Sequence, residues 1–463
     1  MRPGIPLLGG RDLASTVAWH QGQAVSAGEF LAEAAALAER LPAQGQAVNL
    51  CLDRYLFAVG TVAALQRGQT SLMPPNALPD TLRQLQQPGL QPYALSDDAA
   101  VDAGGLPLRH VARMRGLTPL TTEPRVGADF DAVCLLTSGS TAAAQSHRKR
   151  WDVLQANIQA EAGRLAELLG WASIRGLNLV ATVPAQHSYG FESSVLLALF
   201  AGAAFDAGRP FYPADIAEAL ARVPSPRALI TTPFHLKTLL RARIALPRVD
   251  LVLSATAPLS PQLAMQAEAT FGARLIEIYG CTEAGQVATR RTTEGEVWTT
   301  FGGLRLHAEP GTEGERYIVH GGHVVEATPL GDVLDLLDSQ RFRLLGRAND
   351  LIHVAGKRSS LAHLNFKLNR IEGVDDGAFW LPDEVAEGVV RPVAFVVAPT
   401  RSAREIVSAL RQQLEPAFVP RRVVHVLELP REATGKLTSA SLRRFALQTL
   451  AQADRTGRSN DIV

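Results

Sequence analysis

The feature that most constrains the fold is an alternation, between residues 177 and 280, of short apolar runs with helix-length segments. LNLVATV (177–183), ALITT (228–232), VDLVLSAT (249–256) and RLIEIYG (274–280) each predict a buried strand. Between them, FESSVLLALFAGA (191–203), PFHLKTLLRAR (233–243) and PQLAMQAEATFG (261–272) predict helices, the second with Pro233 in its first turn and the third closed by Gly272. Such alternation builds a doubly wound parallel sheet, because parallel neighbours need a crossover that a helix supplies. The same order starts earlier. Ser26 caps FLAEAAALAERL with Glu29 three residues on, AVNLCL (47–52) predicts a strand and FAVGTVAALQRG (57–68) a helix.

After about residue 290 the pattern changes. WTTFGGLRLHAEP and RYIVHGGHVVEAT predict short antiparallel strands joined by Gly-rich turns. A further unit then follows: strand VAFVVA (393–398), helix SAREIVSALRQQL (402–414), strand RVVHVLEL (422–429) and a last helix after TGK. The expected class is α/β, with a large N-terminal domain of doubly wound sheets plus a β-rich part (1–347) and a small α+β C-terminal domain (348–463). A chain of 463 residues exceeds one ordinary core, which agrees with two domains.

A net charge of +1 gives no electrostatic ground for a nucleic-acid partner or an anionic membrane. Three cysteines without a CxxC pair argue against a disulfide framework or a structural zinc site, and so for a reducing, cytoplasmic setting. The first residues lack the charged and apolar regions of a secretory signal, and the longest apolar stretch, 194–205, is too short to span a bilayer. Only five lysines occur (Lys149, Lys237, Lys357, Lys367 and Lys436), which raises the weight of each one inside a motif.

Four segments carry chemistry. In LLTSGSTAAAQSHRK (135–149), a strand runs into Thr137, Ser138, Gly139, Ser140 and Thr141, whose hydroxyls and main-chain N–H groups suit a polyphosphate; a plain polar loop has the same composition. YGCTEAG (279–285) places Thr282 and Glu283 after a strand, where open α/β sheets bind ligands, although a solvated turn would read alike. Asp332, after Gly331, can accept two ribose hydroxyls or merely sit in a hairpin turn. Lys436 stands in a Gly-containing loop before a helix, where most lysines are simply solvated.

The order TSGST, HSYGF, YGCTE, GD, GRAND, TGK resembles the adenylate-forming superfamily, which includes acyl-CoA synthetases, aryl-acid ligases and the adenylation domains of peptide synthetases. The resemblance runs from about residue 53 to 436, and the shorter ligases of fatty-acid-like or aryl-polyene pigment pathways look nearest. It implies activation of a small carboxylic acid by ATP and Mg²⁺ to an acyl-adenylate, releasing pyrophosphate. The acyl group would then pass to a thiol of coenzyme A or of the phosphopantetheine on an acyl carrier protein. Thr137 to Thr141 would wrap the β- and γ-phosphates, Thr282 would bond the α-phosphate and Glu283 would hold Mg²⁺. Asp332 would bind the ribose with Arg347 beside it. Tyr279 and Gly280 belong to the same nucleotide-binding segment. Ala255, within SATAP (254–258), would stand between adenine and the acyl pocket, and His187 would lie near the acid, with Tyr189 and Phe191 close by.

Lys436 carries the sharpest implication. Carboxylate and phosphate repel in a low-dielectric cleft, and one mobile cation touching both offsets that repulsion, an effect of about 3–4 kcal/mol in comparable electrostatic sites. The small domain would swing about Asn349, removing Lys436 and bringing Gly356 toward the thiol channel.

The first motif departs from the family pattern TSGSTGxPK: Ala142, Ala144 and Gln145 stand where Gly, Pro and Lys are usual. Arg148, Lys149 and Arg150 follow at once, are expected to open the helix RKRWDVLQANIQAEAGRL, and could replace the missing cation. The departure also leaves a second expectation, a homologue that binds nucleotide or acyl-adenylate without efficient turnover. A serine hydrolase lacks its GxSxG elbow here, and a Rossmann dehydrogenase its GxGxxG. The acid is not legible; the pigment-pathway resemblance favours an aryl acid such as a hydroxybenzoate over a medium acyl chain.

Overall fold

The computed structural model describes residues 4–74, 76–86, 91–137, 145–311, 314–347, 351–354, 357–382, 391–431 and 437–455. The helix at the N-terminus forms as its sequence demands: Ser26 accepts from the Glu29 N–H and the Glu29 carboxylate reaches back to the cap, so two orphan donors of Ala27–Ala38 are satisfied. The next helix, Arg54–Gln66, begins earlier than its apolar run because Asp53 caps it through the Leu56 N–H at 3.0 Å.

Two large sheets organise the N-terminal part. One has six strands in the order Gln145–Arg150, Asp131–Thr137, Ser71–Met73, Gln46–Asn49, Pro92–Ser96, Leu108–His110. Its neighbours are parallel except for the first pair, which is an antiparallel hairpin. The other has eleven strands. Its centre is the parallel set Arg274–Cys281, Leu251–Ser254, Arg227–Thr231, Asn178–Ala181, Ala204–Asp206, Thr16–His20. Helices Pro213–Arg222, Pro233–Arg241 and Pro261–Phe271 bury Ile216, Leu236, Leu239, Ala264 and Phe271 in one apolar cluster with Leu229, Val252 and Leu275 of the sheet. From Gly285 onward the strands turn antiparallel, ending in Asp332–Leu336 against Arg341–Arg347. A separate three-stranded antiparallel sheet holds Leu304–Gly311, Gly314–Gly321 and Val324–Leu330.

The last part has its own apolar clusters, built from Ile352 to Ala446, and a three-stranded sheet of Asp376–Trp380, Val393–Val397 and Arg422–His425. Helix Ala403–Arg411 is capped by Ser402 in a capping box with Glu405. This part touches the rest through polar contacts. Arg370 bonds Glu296 at 2.9 Å, Gln262 donates to the Arg370 carbonyl at 3.0 Å, and Arg241 pairs with Asp375. Among the described residues no helix is long and apolar enough to cross a membrane.

Candidate active site

Parallel strands deliver their C-terminal ends to one edge, and the SATAP and YGCTE segments begin there. Leu251–Ser254 and Arg274–Cys281 are adjacent, with Ser254 opposite Glu277, so Ala255 leaves the sheet next to the strand that runs on into the 281–285 turn. Thr256, two residues past the strand, holds φ +76, a conformation that costs a β-branched residue energy and that often marks functional turns.

At the end of Arg274–Cys281 the chain reverses into Gly285–Arg290. The reversal is so tight that a Cβ on Gly280 would stand 2.4 Å from the Gly285 carbonyl oxygen. Thr282 is half-buried and Glu283 exposed, its side chain 43% accessible. Behind them Tyr279 is buried, in edge contact with Phe342 at 5.5 Å, and its hydroxyl donates to Asp332 Oδ2 at 2.7 Å. Asp332 in turn pairs in register with Arg347 across the antiparallel ladder. Thus Tyr279, Thr282, Glu283, Asp332 and the main chain of Arg347 are brought to one end of the sheet; the Arg347 side chain lies outside the described residues.

Strand Asp131–Thr137 leads into the TSGST segment and pairs antiparallel with Gln145–Arg150, with Thr137 opposite Gln145. Ser138, Gly139, Ser140 and Thr141, with Ala142 and Ala144, lie outside the described residues, as do Asn349, Gly356 and Lys436; for Thr137 and Gln145 only the main chain is described.

The returning strand corrects one expectation. Residues 148–150 do not open the helix: Trp151–Leu169 starts after them, with Arg150 at its cap, because their main-chain groups are consumed in pairing with 131–134. Strand alternation then separates three consecutive cations. Arg148 points outward and bonds Asp131 at 3.2 Å, while Arg150 pairs with Asp152. Lys149 turns inward, 8% exposed, and its ammonium donates to the Glu283 main-chain carbonyl at 2.5 Å. His147, on the same face, places Nε2 3.7 Å from Glu283 Oε1. Burial holds the Lys149 ammonium below its usual pKa, and Glu192 is the chief opposing charge.

His187 sits half-buried where the strand Asn178–Ala181 gives way to a helix, its carbonyl accepting from Phe191 N–H at 2.8 Å. The entry is tight: a Cβ on Gly190 would lie 2.0 Å from the Pro184 carbonyl oxygen. Residues Phe191–Leu196 form a π-helical turn before Leu197–Ala201 continues as α-helix, an arrangement common at functional sites. Arg54, fully buried, ties this turn to the sheet. It donates to Ser194 Oγ at 2.6 Å and to the carbonyls of Ala181 at 3.1 Å and Val183 at 2.7 Å.

Beneath the turn lies a polar network that the motifs did not disclose. Ser193 donates to Glu161 Oε1 at 2.8 Å, and Gln286 donates to Ser193 Oγ at 2.7 Å. Burial, in Glu161 and Glu192 alike, disfavours the charged form and pushes their carboxyls up to about 8 and about 7. A period-2 reading of QSHRKR would have faced His147 and Lys149 inward; nothing comparable marks Glu161, a lone acid within an amphipathic helix.

Residues 76–310 match the AMP-binding enzyme family and 368–436 the AMP-binding enzyme C-terminal domain. A 4-coumarate–CoA ligase of Halorhodospira halophila is 29% identical over 345 residues, covering 72% of this chain and 80% of that one. ATP-bound MatB from Rhodopseudomonas palustris has the same fold, with a TM-score of 0.76 at 19% identity over 94% of this chain and 96% of that one. The o-succinylbenzoate CoA synthetase of Bacillus subtilis, in complex with the acyl-adenylate intermediate, gives 0.75 at 18% identity over 92% and 95%. With the family matches covering TSGST, HSYGF, YGCTE and TGK, the chain belongs to the AMP-binding enzyme family of the adenylate-forming superfamily, as an AMP-forming acid–thiol ligase.

Proposed function

We propose that this enzyme activates an aryl acid with Mg·ATP and passes the acyl group from the adenylate to the thiol of coenzyme A or of a carrier-protein phosphopantetheine. The observation that carries the reading is a contact between two sheets: strand Gln145–Arg150, paired with the strand that leads into TSGST, reaches the Thr282–Glu283 turn through Lys149 and His147. The groups read here as metal- and phosphate-binding would lie at that turn, with the Tyr279–Asp332 pair alongside for the ribose.

The residues present fit a magnesium nucleotide. Among the described residues no cluster of three or more metal-ligating side chains exists; Mg²⁺ bound to a nucleotide needs only one or two carboxylates, because phosphate oxygens and water complete its shell. The exposed Glu283 carboxylate suits that role. The metal's chemistry is to neutralise phosphate charge as pyrophosphate leaves. Thr282 would donate to the α-phosphate, Asp332 would accept from the ribose, and His187, at the mouth of the π-helical turn, would orient the acid. Lys436 would bring the cation that lets the carboxylate approach the α-phosphate, and a swing about Asn349, between units 1–347 and 348–463, would withdraw it before thiol attack. The aryl assignment is supported by the relative named 4-coumarate–CoA ligase.

A second reading, slow turnover on a bound nucleotide, is favoured by one observation: Arg148, Lys149 and Arg150, the cations nearest the altered first motif, each have an acceptor of their own. ATP–pyrophosphate exchange with a panel of hydroxybenzoates, cinnamates and medium-chain acids, followed by product detection with coenzyme A and with a phosphopantetheinylated carrier, separates the two. Acid-dependent exchange followed by thioester supports the ligase. Nucleotide binding without exchange for any acid supports the second reading.

A further inference from the structure

Lysine 149 occupies an unusual position for its chemistry. An ammonium taken out of water is costly unless it is paired and hydrogen-bonded, yet this one is 8% exposed and spends its bond on a main-chain oxygen. The oxygen belongs to Glu283, at the outermost position of the turn after Arg274–Cys281. A turn residue whose carbonyl is held has its backbone rotation fixed, and with it the direction in which its side chain leaves. The hold comes from strand Gln145–Arg150, which pairs with the strand that leads into TSGST. His147 on the same strand face, 3.7 Å from the Glu283 carboxylate, makes the contact two-pronged. Glu192, 2% exposed on the π-helical turn after His187, is the main charge that balances the buried ammonium, linking the same lysine to the acid-binding side. Lys is suited to this place because it is a compact point charge on a slender stem, where a guanidinium is wide and planar.

We propose that Lys149 is a positioning residue for Mg·ATP: anchored on strand Gln145–Arg150, it holds the Thr282–Glu283 turn by its main chain so that the Glu283 carboxylate faces the nucleotide's metal. This rests on the reading of that turn as the metal and phosphate site. It replaces the simpler idea that Lys149 substitutes directly for the cation missing at Gln145.

The test compares wild type, Lys149→Met/Glu192→Gln and Glu192→Gln in the full-length chain. Three quantities are measured: melting temperature, amide hydrogen exchange of residues 279–285 without ligand, and Mg·ATP affinity by calorimetry. In the double variant the balancing acid is neutralised with the lysine, so folding is retained. Exchange in the turn is expected to be about tenfold faster and Mg·ATP binding about tenfold weaker, the loss of one hydrogen bond to a charged donor. Glu192→Gln alone keeps the anchor and stays within about twofold of wild type in both. A double variant that melts like wild type and also exchanges and binds like wild type overturns the proposal, reducing Lys149 to a charge partner of Glu192. If the double variant does not fold, Glu192→Gln decides: a turn loosened as soon as Glu192 is neutralised, with Lys149 still present, overturns it equally. Wild type that fails to bind Mg·ATP at all refutes the underlying reading instead.

Discussion

Carboxylates sit in two opposite environments around the proposed site. On the side proposed for the nucleotide, Glu283 is 43% accessible and Asp332 is half-buried behind a tyrosine hydroxyl. On the side proposed for the acid, Glu161 and Glu192 lie at 0% and 2% exposure, and desolvation raises both. The first pair stays within reach of solvent, whereas the second is part of the scaffold under the π-helical turn. The difference teaches that substitutions on the nucleotide side should cost affinity, and those beneath the acid side should cost stability.

The largest effect is expected from Arg54, which holds the acid side together. Arg54→Met leaves the carbonyls of Ala181 and Val183 and the Ser194 hydroxyl without their charged donor, a loss of about 4–6 kcal/mol. A melting temperature lower by about 10 °C or more should be seen in calorimetry, and an unchanged melt would break the comparison on that side. Asp332→Asn should do the reverse. Mg·ATP binding weakens by about tenfold, with melting unaltered within the error of the scan; a loss of stability without a loss of affinity would contradict it.

A smaller effect sharpens the role of the small C-terminal part. The Arg370–Glu296 pair is partly exposed and worth little in stability, about 0–1 kcal/mol. If it biases one of two orientations, Arg370→Glu shifts the two half-reactions a few-fold in opposite directions while melting stays put. Parallel loss in both would exclude that bias.

A further effect is a pH dependence. The Glu161 carboxyl rises from an ordinary 4.5 to about 8 in the fold because burial penalises the anion. The native state therefore holds a proton that the unfolded chain has lost, and stability falls as pH rises from about 4.5 through about 8. Glu161→Gln should flatten that decline by a few degrees in the melting curve, and a decline as steep as in wild type would show that other groups cause it.

The same contrast explains what the sequence made legible. On the side proposed for the nucleotide each motif is contiguous along the chain: YGCTE follows its strand directly, and Asp332 opens another strand. Strand ends and motif letters coincide there, so pattern and chemistry are read together. The parallel centre of the larger sheet was legible for the same reason, since its strands are uniform apolar runs. The scaffold under the π-helical turn is assembled from residues 54, 161, 192 and 286, which only the folded chain brings near. Arg54 precedes the apolar run 57–68 and belongs to no motif, and Asp53 before it caps the helix. QSHRKR was misread because three basic residues suggest a solvated helix start, while its strand character comes from pairing with 131–137. The run 191–203 gave helix correctly but not the π-helical turn, since a run apolar on all sides carries no period to reveal it.

The central claim, that Lys436 brings the cation that joins acid and nucleotide, is tested most directly by separating the half-reactions in Lys436→Ala. Acid-dependent ATP–pyrophosphate exchange should fall at least about a hundredfold, while transfer of the acyl group from a preformed aryl-adenylate to the thiol remains near the wild-type rate. Equal loss in both half-reactions, or exchange at the wild-type rate, would contradict the account.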